Sequence, residues 1–322
     1  MLFNEDLENI IFNRHEIIES DELVIVSGFI GPHPLERVEE IPLLTTVVYG
    51  MYGSVGIKNS LHNPIVQLNN SIKNLTVLYS EVPVHSKCYI WKKNNCIVHA
   101  LIGSANFSVN GLRTPFREIL AETTRDTFIP LQTYLERILN HSIVCTNATV
   151  RGVQTGIQLL DIGTDEHICR MTLLDPRTNE THLAGGINWG HGNSHTTPDD
   201  AYIAIRSSHI RNYPSFFPPK QEYPQDIRGG RPRRHNDFFE MIWDDGTIMQ
   251  GLMEGSYQMN GDVFPKQISS FPSKSVLGFY LRQRIGMNSG AFVRRVDLER
   301  YGRTHIDVSL LNEGVYYFDF SV

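Results

Sequence analysis

The 322-residue chain lacks several features that would define its class at once. It has no uninterrupted apolar run as long as a membrane-spanning helix, and its first residues carry neither the basic nor the continuous apolar segment of a secretory signal. We therefore expect a cytoplasmic protein that does not associate with a membrane. Its four cysteines show no C-x-x-C spacing, which argues against a zinc ribbon or a disulfide framework and predicts reduced core residues.

Two motifs of nucleic-acid enzymes are also missing. None of the eight lysines has Asp or Glu two residues before it, which excludes the acidic-x-lysine motif of metal-dependent nucleases. No G-x-x-x-x-G-K-[ST] loop occurs, so any linked nucleotide hydrolysis must come from another polypeptide. The formal charge of −6 disfavours a uniformly basic nucleic-acid-binding protein but permits local basic clusters.

The patterning of apolar residues predicts two domains. In the first, strand-like runs at 23–30, 45–50, 75–79 and 97–102 alternate with helical spacing at 65–75 and at 126–141, where Asp126 is the expected N-cap. This alternation predicts an α/β domain with a mixed sheet and flanking helices at residues 1–143. Further along, Asp244-Asp245-Gly246 between two alternating runs predicts a hairpin, and residues 144–322 are expected to form an all-β, barrel-like domain.

The tripeptide His85-Ser86-Lys87 carries the candidate chemistry. Residues two apart on a strand share a face, so the imidazole and the ammonium lie side by side. The imidazole could attack phosphorus while the lysine neutralises charge on the phosphoryl oxygens. An isolated H-x-K is more often a pair of polar surface residues. However, Gly103-Ser104-Ala105-Asn106 adds a glycine that lets backbone approach a phosphate, a hydroxyl donor and an amide, and the two motifs together favour a phosphodiester site.

The combination of H-x-K and G-S-x-N resembles the phospholipase D superfamily. Its signature has four residues between the lysine and an Asp, and six residues between that Asp and G-S-x-N, whereas here the span is longer and Lys92 stands in place of the Asp. The resemblance implies a metal-independent, cofactor-free mechanism through a phosphohistidine, with Glu118 as the candidate for orienting the histidine. Because that mechanism needs two histidines and the chain has one H-x-K, it also implies a homodimer through the N-terminal domain. The implied catalytic residues are His85, Lys87, Ser104, Asn106 and Glu118.

Candidate DNA-reading residues occupy three segments of the second half. A glycine-rich run at 185–195, which could also be an ordinary loop, offers Asn188, Trp189, His191, Asn193 and His195. A loop holding Arg231, Arg233 and Arg234 is basic, although such loops are more often solvated faces. The alternation at 277–285 predicts a strand with Tyr280, Arg282 and Arg284 on one face. Zinc binding by the two histidines of the first segment is disfavoured because a glycine-rich loop makes a poor helix.

The runs GGINWG at 185–190, DAYIAIR at 200–206 and GFYLRQRIG at 278–286 look like the DNA-binding domain of phospholipase D-type restriction endonucleases of the NgoFVII and BfiI kind. That resemblance implies a pseudobarrel like the plant B-three domain, which grips the major groove with two arms, here residues 185–197 and 272–286. It adds Arg206 and Lys274 to the candidate DNA contacts. It further implies a type II-like restriction endonuclease that acts on double-stranded DNA and has a cognate methyltransferase. The resemblance also allows a separate helicase-like ATPase as a partner.

Two other classes of function stay open from the sequence. One is a lipid or general phosphodiesterase of the same superfamily, which the lack of an amphipathic membrane-surface helix and the DNA-reading features of the second half disfavour. The other is a non-catalytic, sequence-specific DNA-binding protein, which the joint presence of the H-x-K and G-S-x-N motifs disfavours.

Overall fold

The computed structural model describes residues 1–150, 168–192, 195–220 and 236–322. The chain divides into a first unit, Met1–Leu160 with Leu311–Val315, and a second unit, Asp161–Leu310 with Tyr316–Val322. Within the described ranges, no helix is long and apolar enough to cross a membrane.

An eight-stranded mixed sheet forms the centre of the first unit. The sheet order is β1-β7-β6-β5-β2-β3-β4-β8, with β2, β3 and β4 parallel and the other neighbours antiparallel. The central strands are apolar because helices and loops cover both faces. In chain order the strands are β1 Leu2–Phe3, β2 Glu22–Ser27, β3 Leu44–Tyr49, β4 Leu75–Ser80, β5 Lys87–Lys93, β6 Cys96–Gly103, β7 Leu120–Glu122 and β8 Ser142–Val144.

The helices of the first unit are α1 Leu7–Phe12, α2 Pro32–Glu36, α3 Tyr52–Val55, α4 Asn59–Ser71, α5 Val109–Arg113 and α6 Phe128–Leu139. The helix predicted at 65–75 begins six residues earlier and runs through Pro64, because Leu61 and Ile65 on either side of it are both buried. The helix predicted at 126–141 is confirmed as α6. Asp126, however, lies in a 3-10 turn at Arg125–Thr127 and does not cap it, so the predicted N-cap is wrong.

A seven-stranded sheet forms a nearly closed pseudobarrel in the second unit. The sheet order is β10-β15-β12-β11-β17-β16-β9, and β13 and β14 form a separate hairpin. The hairpin predicted around Asp244-Asp245-Gly246 is confirmed as β11 and β12, with Gly246 at a φ of 86°. The strands are β9 Cys169–Thr172, β10 Ile203–Ala204, β11 Asp237–Trp243, β12 Ile248–Glu254, β13 Tyr257–Met259, β14 Asp262–Phe264, β15 Gln267–Ser270, β16 His305–Asn312 and β17 Val315–Asp319.

The strand predicted at 277–285 is wrong, because this segment is helical. The helices of the second unit are α7 Ser207–Asn212, α8 Lys274–Arg284 and α9 Arg295–Tyr301. The Ser273 side chain caps α8 by accepting a hydrogen bond from the Ser275 amide. Leu277 and Leu281, four residues apart, are buried in the core of the unit. On a helix, residues two apart do not share a face, so Arg282 lies on a different face from Tyr280 and Arg284, which are four residues apart and lie together.

Three of the four cysteines are buried and one is exposed. Cys88, Cys145 and Cys169 are buried free thiols, as predicted, whereas Cys96 is exposed at the start of β6. Its exposure follows from its position beside the Asn94-Asn95 turn, where the hairpin projects away from the core.

Candidate functional site

The two sequence motifs meet at the base of one hairpin. Strands β5 and β6 pair antiparallel, and Lys87 lies directly opposite Gly103. The residues between the motifs are taken up along the two strands, with an irregularity between Trp91 and Lys92. The unusually long spacing therefore lengthens the hairpin without separating its ends.

Lys92, which stands where the superfamily signature has an aspartate, takes no part in this site. It forms an ion pair with Glu22 on the neighbouring strand, with 3.2 Å between Nζ and Oε2. Five residues of extended strand separate it from Lys87, which is about 16 Å. No carboxylate is supplied to the candidate site from this position.

His85 and Lys87 form the candidate reactive pair. His85 is exposed, whereas Lys87 has only 6% of its surface accessible. The Lys87 ammonium donates to the His85 carbonyl at 2.8 Å and lies 3.1 Å from Nδ1 of the same residue. Burial lowers the pKa of Lys87, partly offset by the nearby Glu118 carboxylate. A partly desolvated cation next to an exposed imidazole suits an anionic ligand.

The G-S-x-N turn is fixed from both sides. Ser104 donates from its amide to the Ile119 carbonyl at 3.0 Å, and its hydroxyl accepts from the Ile119 amide at 3.1 Å. The Tyr89 hydroxyl donates to the Ala105 carbonyl at 2.9 Å. Gly103 is required by this packing, since a Cβ there would lie 2.0 Å from the Ile119 oxygen. The structure thus gives this glycine a reason that the sequence did not suggest, namely close approach of the neighbouring chain segment.

Asn106 is buried and points its amide toward the end of β2. Its Oδ1 accepts from the Phe29 amide at 3.1 Å. This contact sets which way the amide faces, and among the described residues its NH2 group has no hydrogen-bond acceptor. Asn106 can therefore still donate to a phosphoryl oxygen.

Glu118 belongs to the same cluster but does not hold the histidine. It is half-buried, an oxygen of its carboxylate lies 4.0 Å from Nε of Arg117, and burial raises the pKa of its carboxyl group. Within the described part of the chain, no hydrogen bond joins it to His85. Its effect on the site in this conformation is electrostatic, through Lys87.

Two residues beside His85 were missed by the sequence reading. Gly28 and Phe29 follow directly after β2, which pairs with β5. The Phe29 ring meets the His85 imidazole edge to face, with 6.0 Å between the centroids. The only possible signal was the long-range pairing of the two strands, which no local pattern encodes.

In the second unit, two predicted DNA contacts prove to be interior residues. Asn188 is completely buried, donating to the Val293 carbonyl at 2.7 Å and accepting from the Val293 amide at 2.9 Å. Arg282 is also completely buried, and burial lowers its pKa. Its guanidinium donates to the carbonyls of Ala291 at 2.8 Å and Ile187 at 3.0 Å. Both side chains hold the loops in place, and we withdraw them as direct contacts.

The two predicted arms meet at Trp189 and Lys274. The Lys274 ammonium lies 4.2 Å from the centre of the Trp189 ring and 2.7 Å from an oxygen of Glu254. Farther along α8, Arg284 is paired with Asp244 at 2.7 Å and donates to the Tyr280 hydroxyl at 2.6 Å. The predicted contacts Tyr280 and Arg284 are therefore already bonded within the chain.

The remaining predicted contacts differ in exposure. His191 and His195 are exposed, and His191 rests against Phe292. Arg206 is half-buried and donates to the Leu174 carbonyl at 2.8 Å. The predicted contacts outside the described residues are Asn193, Arg231, Arg233 and Arg234.

Comparison with known protein families matches nearly the whole chain. Residues 5–152 match the NgoFVII restriction endonuclease N-terminal PLD domain, and residues 164–312 match the NgoFVII C-terminal B3-like DNA-binding domain. No curated protein matches the sequence.

Solved structures resemble part of the chain at low sequence identity. NucT from Helicobacter pylori shares 15% identity at a TM-score of 0.34, covering 45% of this chain and 97% of NucT. Nuc from Salmonella typhimurium, a phospholipase D family member, shares 12% identity at a TM-score of 0.27, covering 39% of this chain and 82% of Nuc.

Proposed function

The chain belongs to the NgoFVII restriction endonuclease family, and from that premise we propose that it hydrolyses DNA phosphodiester bonds without a metal ion, through a phosphohistidine formed on His85. The observation that carries the proposal is the convergence of His85, Lys87, Ser104 and Asn106 at the base of one hairpin. The first three offer a nucleophile, a cation and a hydroxyl, and the fourth offers a free amide donor.

The first chemical step forms a bond between an imidazole nitrogen of His85 and phosphorus. An ammonium only donates, so in neutral His85 the nitrogen that faces Lys87 accepts. A phosphoryl oxygen that accepts from Lys87 instead would release that nitrogen, while the cation neutralises charge developing on phosphorus. The bond from phosphorus to one ester oxygen then breaks, and that oxygen must gain a proton.

The proton donor is the second histidine, and the chain has one H-x-K. We therefore propose a homodimer in which the partner subunit's His85 protonates the leaving oxygen as a general acid. The same group then removes a proton from water, which attacks the phosphohistidine and breaks its P–N bond. One shared site would form from two copies of the residues at the hairpin base.

Sequence recognition is assigned to the second unit, whose family match is a DNA-binding domain. The exposed His191 and His195, together with the Trp189–Lys274 pair, are the proposed contacts to the duplex. A cognate methyltransferase and a separate helicase-like ATPase are the proposed partners. The proposed site of action is the cytoplasm. The same match disfavours a lipid phosphodiesterase.

The decisive experiment is cleavage of supercoiled plasmid by the full-length protein in excess EDTA. We expect cleavage to persist. To trap the intermediate, the reaction is quenched with alkali and not with acid, because the P–N bond of a phosphohistidine is hydrolysed in acid. Labelled DNA should become covalently attached to the wild-type protein and not to His85→Ala. Complete loss of cutting in EDTA, restored by magnesium, would contradict the mechanism.

A further inference from the structure

Among the described residues, no carboxylate is hydrogen-bonded to the exposed imidazole of His85. A nucleophile is effective when its orientation is fixed before the substrate arrives. In the described part of the chain, Glu118 acts on the Lys87 ammonium through its charge, and no hydrogen bond joins it to His85. The Lys87 ammonium lies 3.1 Å from Nδ1, but in the proposed mechanism this contact passes to the phosphate, so another group must limit the rotation of the ring once the substrate is bound.

Phe29 lies against the imidazole on one side. The two rings meet at an interplanar angle of 82°, which is the edge-to-face arrangement that aromatic pairs prefer. Behind Phe29, the buried Tyr49 ring contacts it with 6.3 Å between the centroids. The Phe29 side chain is therefore packed between a core residue and the histidine.

Gly28 packs against His85 and Lys87. A Cβ at this position would lie 3.1 Å from Cδ2 of His85 and 3.4 Å from Nζ of Lys87. It would also lie 3.4 Å from the Cα of His85, so the histidine and the Lys87 ammonium pack directly against the backbone at Gly28. Any side chain here would push the imidazole outward by a few tenths of an ångström.

The turn that carries both residues is itself fixed. The Phe29 amide donates to Oδ1 of Asn106 at 3.1 Å, and the Ser27 hydroxyl donates to the Phe29 carbonyl at 2.5 Å. The Ser27 hydroxyl also accepts from the Phe107 amide at 2.9 Å. The G-S-x-N motif thus holds the turn that touches His85.

We propose that Gly28 and Phe29 are positioning residues for His85, with the bare backbone of the first and the ring of the second setting the direction of the nucleophilic imidazole. This inference rests on the proposed function, because it assumes that His85 attacks phosphorus. It assigns to an aromatic contact the orienting task that the sequence suggested for Glu118.

Hydrolysis of bis(p-nitrophenyl) phosphate by the full-length protein tests the proposal, because its leaving group departs without needing a proton and DNA recognition is bypassed. For Phe29→Leu we expect kcat to fall about tenfold while KM stays within about twofold, since only the orientation of the attacking group changes. Phe29→Tyr keeps the ring and should keep kcat within about twofold. Gly28→Ala should lower kcat by a similar factor of about ten.

The matched control is Phe128→Leu, which truncates a partly buried phenylalanine on α6. It should lower the Tm by as much as Phe29→Leu while leaving kcat unchanged. If Phe29→Leu is less stable than this control, Gly28→Ala decides, because Gly28 is not among the positive-φ glycines and alanine fits its backbone. Unchanged kcat in both variants, or a parallel rise in KM, overturns the positioning role alone. A wild-type protein that cleaves neither the ester nor DNA overturns the proposed function itself.

Discussion

Lys87 and Gly103 face each other across β5 and β6, although sixteen positions separate them in the chain. The opposite end of this hairpin is a two-residue turn in which Asn94 and Asn95 both have positive φ, 47° and 64°. The base of the hairpin carries the motifs, whereas the tip carries the turn, where the Asn94 amide donates to Oδ2 of Asp21 at 3.0 Å.

Inserting two residues between Asn94 and Asn95 should leave the rate of plasmid cleavage within about twofold, because a four-residue hairpin loop is also readily formed. Inserting one residue between Lys87 and Cys88 should abolish cleavage, because a shift of one residue turns side chains to the other face of the sheet. Single-turnover cleavage and the Tm are measured for both. Equal loss in the two variants would show that the hairpin tip matters to the site.

A mixed dimer tests the shared site. If each dimer builds one site from two copies of His85, a heterodimer of wild-type and His85→Ala subunits, purified through two different affinity tags, should be nearly inactive. Two independent sites would leave it about half as active as the wild type. Rates of the three purified dimers on the same plasmid decide between these outcomes.

DNA binding should be separable from cleavage in full-length His85→Ala protein. Duplexes selected from a random library should bind it with an affinity that falls about 10²-fold or more between about 50 and 200 mM salt, because phosphate contacts release counterions. Replacing His195 by Ala should weaken binding to the selected duplex by about 1–3 kcal/mol. The control is His141→Ala, an exposed histidine of the first unit. Selection that recovers no preferred sequence would count against the second unit as the reading domain.

Arg282 should matter for stability and, through it, for binding. Arg282→Ala leaves the carbonyls of Ile187 and Ala291 without this donor, and each unpaired buried acceptor costs about 1–3 kcal/mol. We expect the free energy of unfolding to fall by about 3 kcal/mol or more. Urea denaturation of the variant and of Arg300→Ala, whose side chain is 74% exposed, gives the comparison. Wild-type stability in Arg282→Ala would show that the loops do not depend on it.

Acid should destabilise the second unit through His209. Burial and the neighbouring Arg206 lower the pKa of this histidine to about 4, so protonation is disfavoured in the folded state. Stability is then lost as pH falls from the unfolded value of about 6.5 toward 4. The Tm of the wild type should drop more between pH 7 and pH 5 than that of His209→Gln. Equal drops in both proteins would mean that His209 does not contribute to the pH dependence.

The sequence predicted the α/β and barrel-like domains because β-branched runs and a strong Asp-Gly turn encode strands locally. It failed at 277–285 because an alternation of aromatic and basic residues imitates the period of a strand. The cap at Ser273 and the four-residue spacing of Leu277 and Leu281 were present as opposing signals.

The sequence also failed to indicate which polar residues are buried. Asn188 and Arg282 are of residue types that are mostly exposed, so composition pointed to the surface. Their interior positions depend on loops far apart in the sequence, such as those at Ile187 and Ala291. For the same reason Gly28 and Phe29 could not be found before β2 and β5 were seen to pair.

The exposed cysteine at the far end of the hairpin makes the protein suited to single-site chemical labelling. Burial raises the pKa of Cys88 and Cys145 to about 11 and that of Cys169 to about 12, so these thiols are both inaccessible and protonated at neutral pH. A maleimide dye would therefore attach at Cys96. Seven residues of strand place it about 23 Å from Gly103, far enough to report on an approaching partner subunit or duplex without entering the site.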